Sequence, residues 1–354
     1  MEIKYIEAFP LDNGKTELNI VSHEETMEEY QLYWTYEKDP FTKNRSFLLS
    51  SREKRLTFDA APEKRKQIYF IIEWKGQAPM VFGYRILPVD GMYNLRDIGG
   101  YMTGSGKRIK WGVGFRSDYF AFLEDTGLEY VNSLGIKTII DYRNEGEIKR
   151  SPNRELGEGV TTYSCDPNAH TAMVAGLLHN NVNLAKDEDI IEQARIAVEE
   201  NPNAGDLRMI QQQLNFVTSD ESRAAFGTSL RLLALESNNP SVQHCRGGKD
   251  RTGFGVMLLE GILGVPKDIL IYDYMLTKRA RAEKNVRYYQ KYLELAKDKR
   301  VADYLFSLFD TKPEYIEASI NKILEDYGTI REYAKAALSL DDTVIKQLED
   351  IFLE

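Results

Sequence analysis

Cys245 and Arg251 stand six positions apart in the run Val242-Gln243-His244-Cys245-Arg246-Gly247-Gly248-Lys249-Asp250-Arg251-Thr252-Gly253. Alone, that pair would mean little. Between them lie Gly247 and Gly248, which let a loop curl until successive amide N–H groups point inward and form a nest for phosphate oxygens. The planar guanidinium of Arg251 would close the ring, gripping two oxygens at once. The same converging donors would favour the thiolate of Cys245, the nucleophilic form, and the Thr252 hydroxyl could donate to the sulfur as it departs. The chemistry that follows is nucleophilic attack on phosphorus, with a preorganised cradle for the developing charge. Arg246 and Lys249, on the same loop, can reach a second phosphate or an acidic flank of the substrate. A core cysteine in an ordinary turn needs neither two glycines nor three cations within six residues. Cys165 is the internal control: no glycine follows it closely, position 171, six on, is a threonine and not an arginine, and a structural role is expected.

Two acids are candidates for the proton that the leaving group needs. Asp250 lies inside the loop. Asp141 ends a buried strand beside the expected cleft, where it is either a proton donor or a partner for Arg143 or Arg116. His244 is expected to orient the loop rather than to relay protons, and Asn94, Arg96 and Asp97 to support the cleft floor. With only four histidines, and no ligand-like spacing of His170 or His179 with cysteine or acidic partners, no metal or other cofactor is expected.

These groups must be positioned by strands and helices. Ser241 to His244 reads as a short strand leading into the loop, and Gly253 to Leu263 as the helix behind it. That order places ligands at strand C-termini in α/β folds. Ile136 to Asp141 is an apolar run of the kind found in buried parallel strands. Ala224 to Leu235 and most of the tail from Lys267 keep helical periodicity, with Gly328 marking a stop. From Met1 to about Arg85 the pattern changes to short strands, at Gln31–Tyr36, Arg55–Phe58, Gln67–Trp74 and Pro79–Ile86, separated by polar or Pro/Gly turns. The expected architecture is therefore a small all-β, sandwich-like accessory domain over 1–87, followed by an α/β domain over 88–354. The apolar stretch Ala172 to Leu178 is either a core helix or, within 168–222, part of a helical lid.

The stretch from His244 to Gly253, His-Cys-x-x-Gly-Lys-Asp-Arg-Thr-Gly, resembles the signature of the bacterial and fungal protein-tyrosine/serine phosphatases. Tyr93 to Tyr101 resembles that family's Asn-Phe-Arg-Asp-Leu-Gly-Gly box. Phe115-Arg116-Ser117, Ile140 to Arg143 with Glu147, Asp273 to Thr277, and the tail from Pro313 fit as well. Leu95 stands where Phe is usual and Tyr142 where Leu is usual; neither removes a chemical group. The resemblance runs from about Pro88 to Glu354 and leaves the β-rich part outside. It implies a cysteine-phosphatase sheet flanked by helices and a metal-independent phosphomonoesterase. Phosphotyrosine, phosphoserine, phosphoinositides and inositol phosphates are its possible substrates. No Trp-Pro-Asp-like segment offers a general acid on a separate loop, which leaves Asp250 and Asp141, and the resemblance favours Asp250 because the family's loop carries Lys-Asp-Arg where classical tyrosine phosphatases have no acid. A phospho-binding module without turnover is the rival reading, against which the intact Cys245, Asp250 and Arg251 weigh.

Composition sets the outer bounds. Across 354 residues the net charge is −9, which argues against a nucleic-acid surface and requires any phosphate affinity to be local. No apolar run approaches the roughly 18 residues of a membrane span. Two cysteines suit a reducing, cytoplasmic setting, and Met1 to Pro10 lacks the basic-then-apolar pattern of a secretion signal; a secreted protein trimmed of its signal would read the same, so secretion is the alternative.

Overall fold

The computed structural model describes residues 3–22, 24, 26–59, 66–169 and 184–354, with backbone alone for 184–189. The apolar stretch Ala172 to Leu178 lies outside the described residues.

Seven strands precede the phosphatase-like part. β1 (Ile3–Pro10), β2 (Lys15–Ser22) and β5 (Arg55–Asp59) form one antiparallel sheet, and β4 (Ser46–Ser51), β3 (Tyr30–Thr35), β6 (Tyr69–Trp74) and β7 (Met80–Gly83) a second. In β2, buried Thr16, Leu18 and Ile20 alternate with less buried Lys15, Glu17 and Asn19, the two-residue period of a half-buried strand. β1, β2 and β4 were not distinguished in the sequence. A third, mixed sheet follows in the order β11-β10-β12-β9-β8, from Thr161–Ser164, Thr138–Asp141, Ser241–His244, Gly114–Ser117 and Arg96–Asp97. β11, β10, β12 and β9 run parallel, and β8 is antiparallel to β9.

Helices follow or separate these strands: α1 (Asp125–Ser133), α2 (Glu145–Arg150), α3 (Leu184–Glu200), α4 (Ala204–Thr218), α5 (Asp220–Leu233) and α6 (Asp250–Ile262). Six more complete the chain: α7 (Lys267–Ala280), α8 (Ala282–Ala296), α9 (Lys299–Ser307), α10 (Pro313–Tyr327), α11 (Ile330–Leu338) and α12 (Asp342–Phe352). Gly328 ends α10 at φ 78°, the left-handed backbone that its lack of a Cβ permits. In the region 168–222, α4 buries Met209, Phe216 and Val217 in the helical core.

The mixed sheet separates two apolar clusters, and adjacent strand residues point to opposite sides. Ile140 belongs to the helical side, with Phe226, Phe254 and Ile320, whereas Ile139 and Val242 face the other. That second cluster continues without a break through Phe115 and Trp111 into Ile3, Leu32, Phe70 and Ile72 of the N-terminal sheets. Polar ties cross the same boundary. The buried Arg85 donates to the carbonyls of Ile6 and Gly99, at 3.1 and 2.7 Å, with its guanidinium against the rings of Tyr101 and Trp111. Tyr5 stacks on Tyr272 of α7, whose hydroxyl donates to Glu7 at 2.6 Å.

Candidate active site

Strand register puts Asp141, His244 and Ser117 level at the C-terminal edge of the sheet. The chain leaving β12 therefore enters the loop Cys245–Lys249 at the sheet edge, and α6 starts directly after it. α6 can occupy the centre of the molecule because it is apolar almost all round, with twelve of its residues buried. Gly255 leaves room for Tyr142: an added Cβ there would lie 2.4 Å from its hydroxyl, which sits between Ser229 and Gln243. That is how the exchange of the usual Leu for Tyr142 is accommodated.

Five consecutive loop carbonyls are engaged from outside. The Cys245 carbonyl accepts from His244 Nδ1 at 3.0 Å, and because a carbonyl can only accept, that nitrogen carries the hydrogen. Tyr119 N donates to the Arg246 carbonyl at 3.3 Å, and Gly253 N to that of Lys249 at 2.8 Å. Asn94 Nδ2 bridges the carbonyls of Gly247 and Gly248, at 3.2 and 3.0 Å, and Arg281 and Arg116 each add a second donor to one of them. Arg96 Nε holds the Asn94 amide oxygen at 3.1 Å, which fixes the orientation of that side chain. Asp273 of α7 pairs with both Arg96 and Arg116. With its carbonyls drawn outward, the loop leaves the amides of Gly247, Gly248 and Lys249 without protein acceptors among the described residues. Gly248 has φ +63°, and a Cβ on it would meet the Ser117 carbonyl oxygen at 2.5 Å, so this turn requires glycine.

Arg251 is 2 % exposed and held by its outer edge. Nη1 and Nη2 meet the two oxygens of Glu147 at 2.6 and 2.9 Å, and Nη1 also donates to the Tyr142 carbonyl at 3.1 Å. Glu147 is itself fixed at the start of α2 by a reciprocal cap with Asn144. Burial alone would lower the Arg251 pKa, but the bonds and charge of Glu147 raise it. Arg251 Nε and Thr252 Oγ1 are buried without a hydrogen-bond partner among the described residues. Cys245, the first residue of the loop, is 3 % exposed and unbridged.

The other candidates separate clearly. Asp141 is gripped by Arg143 through Nε at 3.0 Å and Nη2 at 2.7 Å, with His244 Nε2 at 3.4 Å. Burial pushes its carboxyl up, but His244 and Arg143 together hold it well below the usual carboxylate range. Asp250 has one oxygen 3.1 Å from the donating Tyr274 hydroxyl and the other 3.5 Å from Lys249 Nζ. Lys249 turns its ammonium onto the carbonyls of Leu308 and Asp310, at 3.0 and 2.7 Å, where it caps the end of α9. Asp97 sits away from the loop: it accepts from Gly99 N, Gly112 N and Gln67 Nε2, and burial brings its pKa up to about 6. Burial and the charge of Asp141 push the Cys165 thiol up to about 11, away from the thiolate form.

Sequence reasoning assigned no role to Glu147 or Asp273, although each lies in a segment that carried the family resemblance, and it offered Arg116 only as a partner for Asp141, whereas Arg116 pairs with Asp273 and Asp141 with Arg143. Arg281 was not singled out. A signal was available in the three-residue spacing of Arg281, Lys284 and Arg287 on one helix.

Glu147→Gln is expected to lower stability by about 3–5 kcal/mol, because it strips a buried guanidinium of its charge partner. Burial raises the Glu147 pKa, but Arg251 outweighs it and the folded value is depressed. Its contribution is therefore complete above the ordinary carboxylate range and is lost as pH falls through the depressed value. Thermal melts of wild type and variant from pH 7 downward check this: the gap should narrow on acidification, and a constant gap would refute the linkage.

A cysteine- and glycine-containing loop at the end of a parallel strand, followed by a helix that carries a buried arginine, is the arrangement of the cysteine-loop phosphatases. Residues 87–354 match the tyrosine phosphatase family, and the chain belongs to it. It is a tyrosine-phosphatase-like phosphoric monoester hydrolase. One relative, from Cupriavidus necator, is named "Putative tyrosine-protein phosphatase". It is 26% identical over 265 residues, which cover 75% of this chain and 88% of the relative. Another, the triple specificity protein phosphatase PtpB of Mycobacterium tuberculosis, is 24% identical over 287 residues, covering 74% of this chain and 97% of the relative. No helix among the described residues is long and apolar enough to cross a membrane.

Proposed function

We propose that the protein hydrolyses phosphomonoesters through a cysteinyl-phosphate intermediate on Cys245. The observation that carries this reading is the set of five outward-tied carbonyls, which leaves amides, Arg251 Nε and Thr252 Oγ1 available to the oxygens of a bound phosphate. The Cys245 thiolate attacks phosphorus in line, the S–P bond forms and the P–O bond to the leaving group breaks. Arg251 and the loop amides hold the three equatorial oxygens, where charge accumulates. The leaving oxygen takes its proton from Asp250. Water then attacks phosphorus and returns a proton to Asp250 as the S–P bond breaks, releasing inorganic phosphate. Asp250 is the donor because Asp141, clamped by Arg143 and His244, is committed to the anionic form. Lys249 holds the loop to the end of α9, and residues 1–87 brace the open face of the catalytic sheet.

The substrates in this reading are phosphotyrosine and phosphoserine proteins together with phosphoinositides and inositol phosphates. The names of the relatives support protein phosphatase activity and, for the mycobacterial protein, a broadened specificity. A phosphate-release screen over phosphopeptides, phosphoinositides and inositol phosphates, with wild type and Cys245→Ser side by side, tests it. Absence of release from every substrate, para-nitrophenyl phosphate included, would leave a phospho-binding module instead. The mechanism needs no metal, so EDTA should leave the rate unchanged, whereas vanadate, which mimics five-coordinate phosphorus, should inhibit. Loss of activity in EDTA that returns with added metal would overturn the metal-free step.

A further inference from the structure

α8 lies across the outer rim of the loop and carries Arg281 at its N-cap, then Lys284 and Arg287 at helical spacing. Arg281 sits directly over the loop: Nη1 donates to the Gly247 carbonyl at 3.2 Å, and a Cβ on Gly247 would collide with it at 2.0 Å. Lys284 Nζ lies 4.5 Å above the Tyr93 ring, and Arg287 Nη2 is 3.5 Å from the Tyr93 hydroxyl. Tyr93 immediately precedes Asn94, the side chain that clamps the loop. The three cations thus form a line from the buried Arg281 through the half-buried Lys284 to the exposed Arg287. Arg246 adds a fourth charge, with its guanidinium 5.5 Å from the Tyr119 ring.

Arg281, Lys284 and Arg287 bring three positive charges onto one rim. Asp118 is the carboxylate that bears on Lys284, and it already accepts from the backbone amides of Tyr93 and Asn94. Burial, with the charges of Arg281, Arg246 and Arg287, brings the Lys284 pKa down to about 8. Like charges gathered at a rim destabilise the empty site and are relieved when an anion arrives between them.

We propose that Arg281, Lys284 and Arg287 form a second anion subsite, which takes the additional phosphate of a compact polyphosphorylated headgroup such as an inositol bisphosphate. This rests on the phosphatase reading above and narrows it. Compactness favours an inositol ring over a peptide. Arg281 bonds to the loop itself at the Gly247 carbonyl, whereas acidic residues flanking a phosphotyrosine stay a whole aromatic ring above the scissile phosphate. The second-phosphate contact expected of Lys249 thus passes to α8.

The test compares kcat/KM for soluble inositol bisphosphate, the same headgroup on phosphatidylinositol in vesicles, and para-nitrophenyl phosphate. The proteins are wild type, the double variant Lys284→Gln/Arg287→Gln, and Lys284→Arg. Removing two charge-assisted contacts should cost the double variant about 100-fold on the bisphosphate, against less than about threefold on the aryl phosphate. Lys284→Arg should retain the preference and hold it above pH 8, where wild type loses it as Lys284 deprotonates among Arg281, Arg287, Tyr93, Asp118 and Arg246. Equal loss with free and lipid-borne headgroup means that the headgroup itself is read, and turnover confined to vesicles identifies the lipid as its source. An equal fall on bisphosphate and aryl phosphate would overturn the subsite. So would a fall on vesicles with none on soluble bisphosphate that wild type turns over, since that reports only attraction to an anionic surface. If wild type turns over nothing, the phosphatase reading fails. Calorimetric affinity for inositol bisphosphate, measured on Cys245→Ser with and without the two glutamines, still decides the subsite: an unchanged affinity refutes it.

Discussion

Cys245→Ser is expected to cut phosphate release by on the order of 10³-fold or more, the scale of losing a covalent nucleophile. Phosphate binding and melting temperature should stay near wild type. Serine fills the same 3 % exposed position, and none of the loop's outward ties runs through the Cys245 side chain. What changes is chemical. A hydroxyl in that cradle is not ionised at neutral pH and offers no thiolate to attack phosphorus. Calorimetric binding of inorganic phosphate to the variant separates the two outcomes. Retained binding with lost turnover supports the covalent step, and activity above a few per cent of wild type would rule it out.

Asp250→Asn should slow hydrolysis of phosphotyrosine and alkyl phosphates by about 10²- to 10⁴-fold, the usual contribution of a general acid. Hydrolysis of para-nitrophenyl phosphate should suffer far less, because para-nitrophenolate departs without a proton. Asparagine keeps an oxygen for the Tyr274 hydroxyl, now 3.1 Å from the carboxylate, so the fold should tolerate the change. The pH limb that reports the acid should flatten. Asp141→Asn makes the contrast: it breaks the clamp to Arg143 and should lower the melting temperature without leaving-group dependence. If instead Asp141→Asn shows that dependence and Asp250→Asn does not, the strand-end carboxylate is the donor.

Most of the proposed chemistry was legible in the sequence because the loop is local. Nucleophile, glycines and arginine lie within seven consecutive residues, and a strand before and a helix after are legible from short-range pattern. Tertiary structure alone decided where the long cationic side chains went. Lys249 and Arg281 look equally free in sequence, yet one is spent on carbonyls at the end of α9 and the other lies over Gly247. It also set the surroundings of the two acids: it pairs Asp141 with Arg143 rather than Arg116, adds His244 beside it, and brings Tyr274 onto Asp250. The ties that shape the loop come from Asn94, Arg116 and Asp273, which lie more than 20 to 150 residues away. No local pattern records such contacts. The continuity of the apolar cluster from Ile3 to Val242 was likewise invisible, because strand periodicity shows that one face is buried but not what buries it.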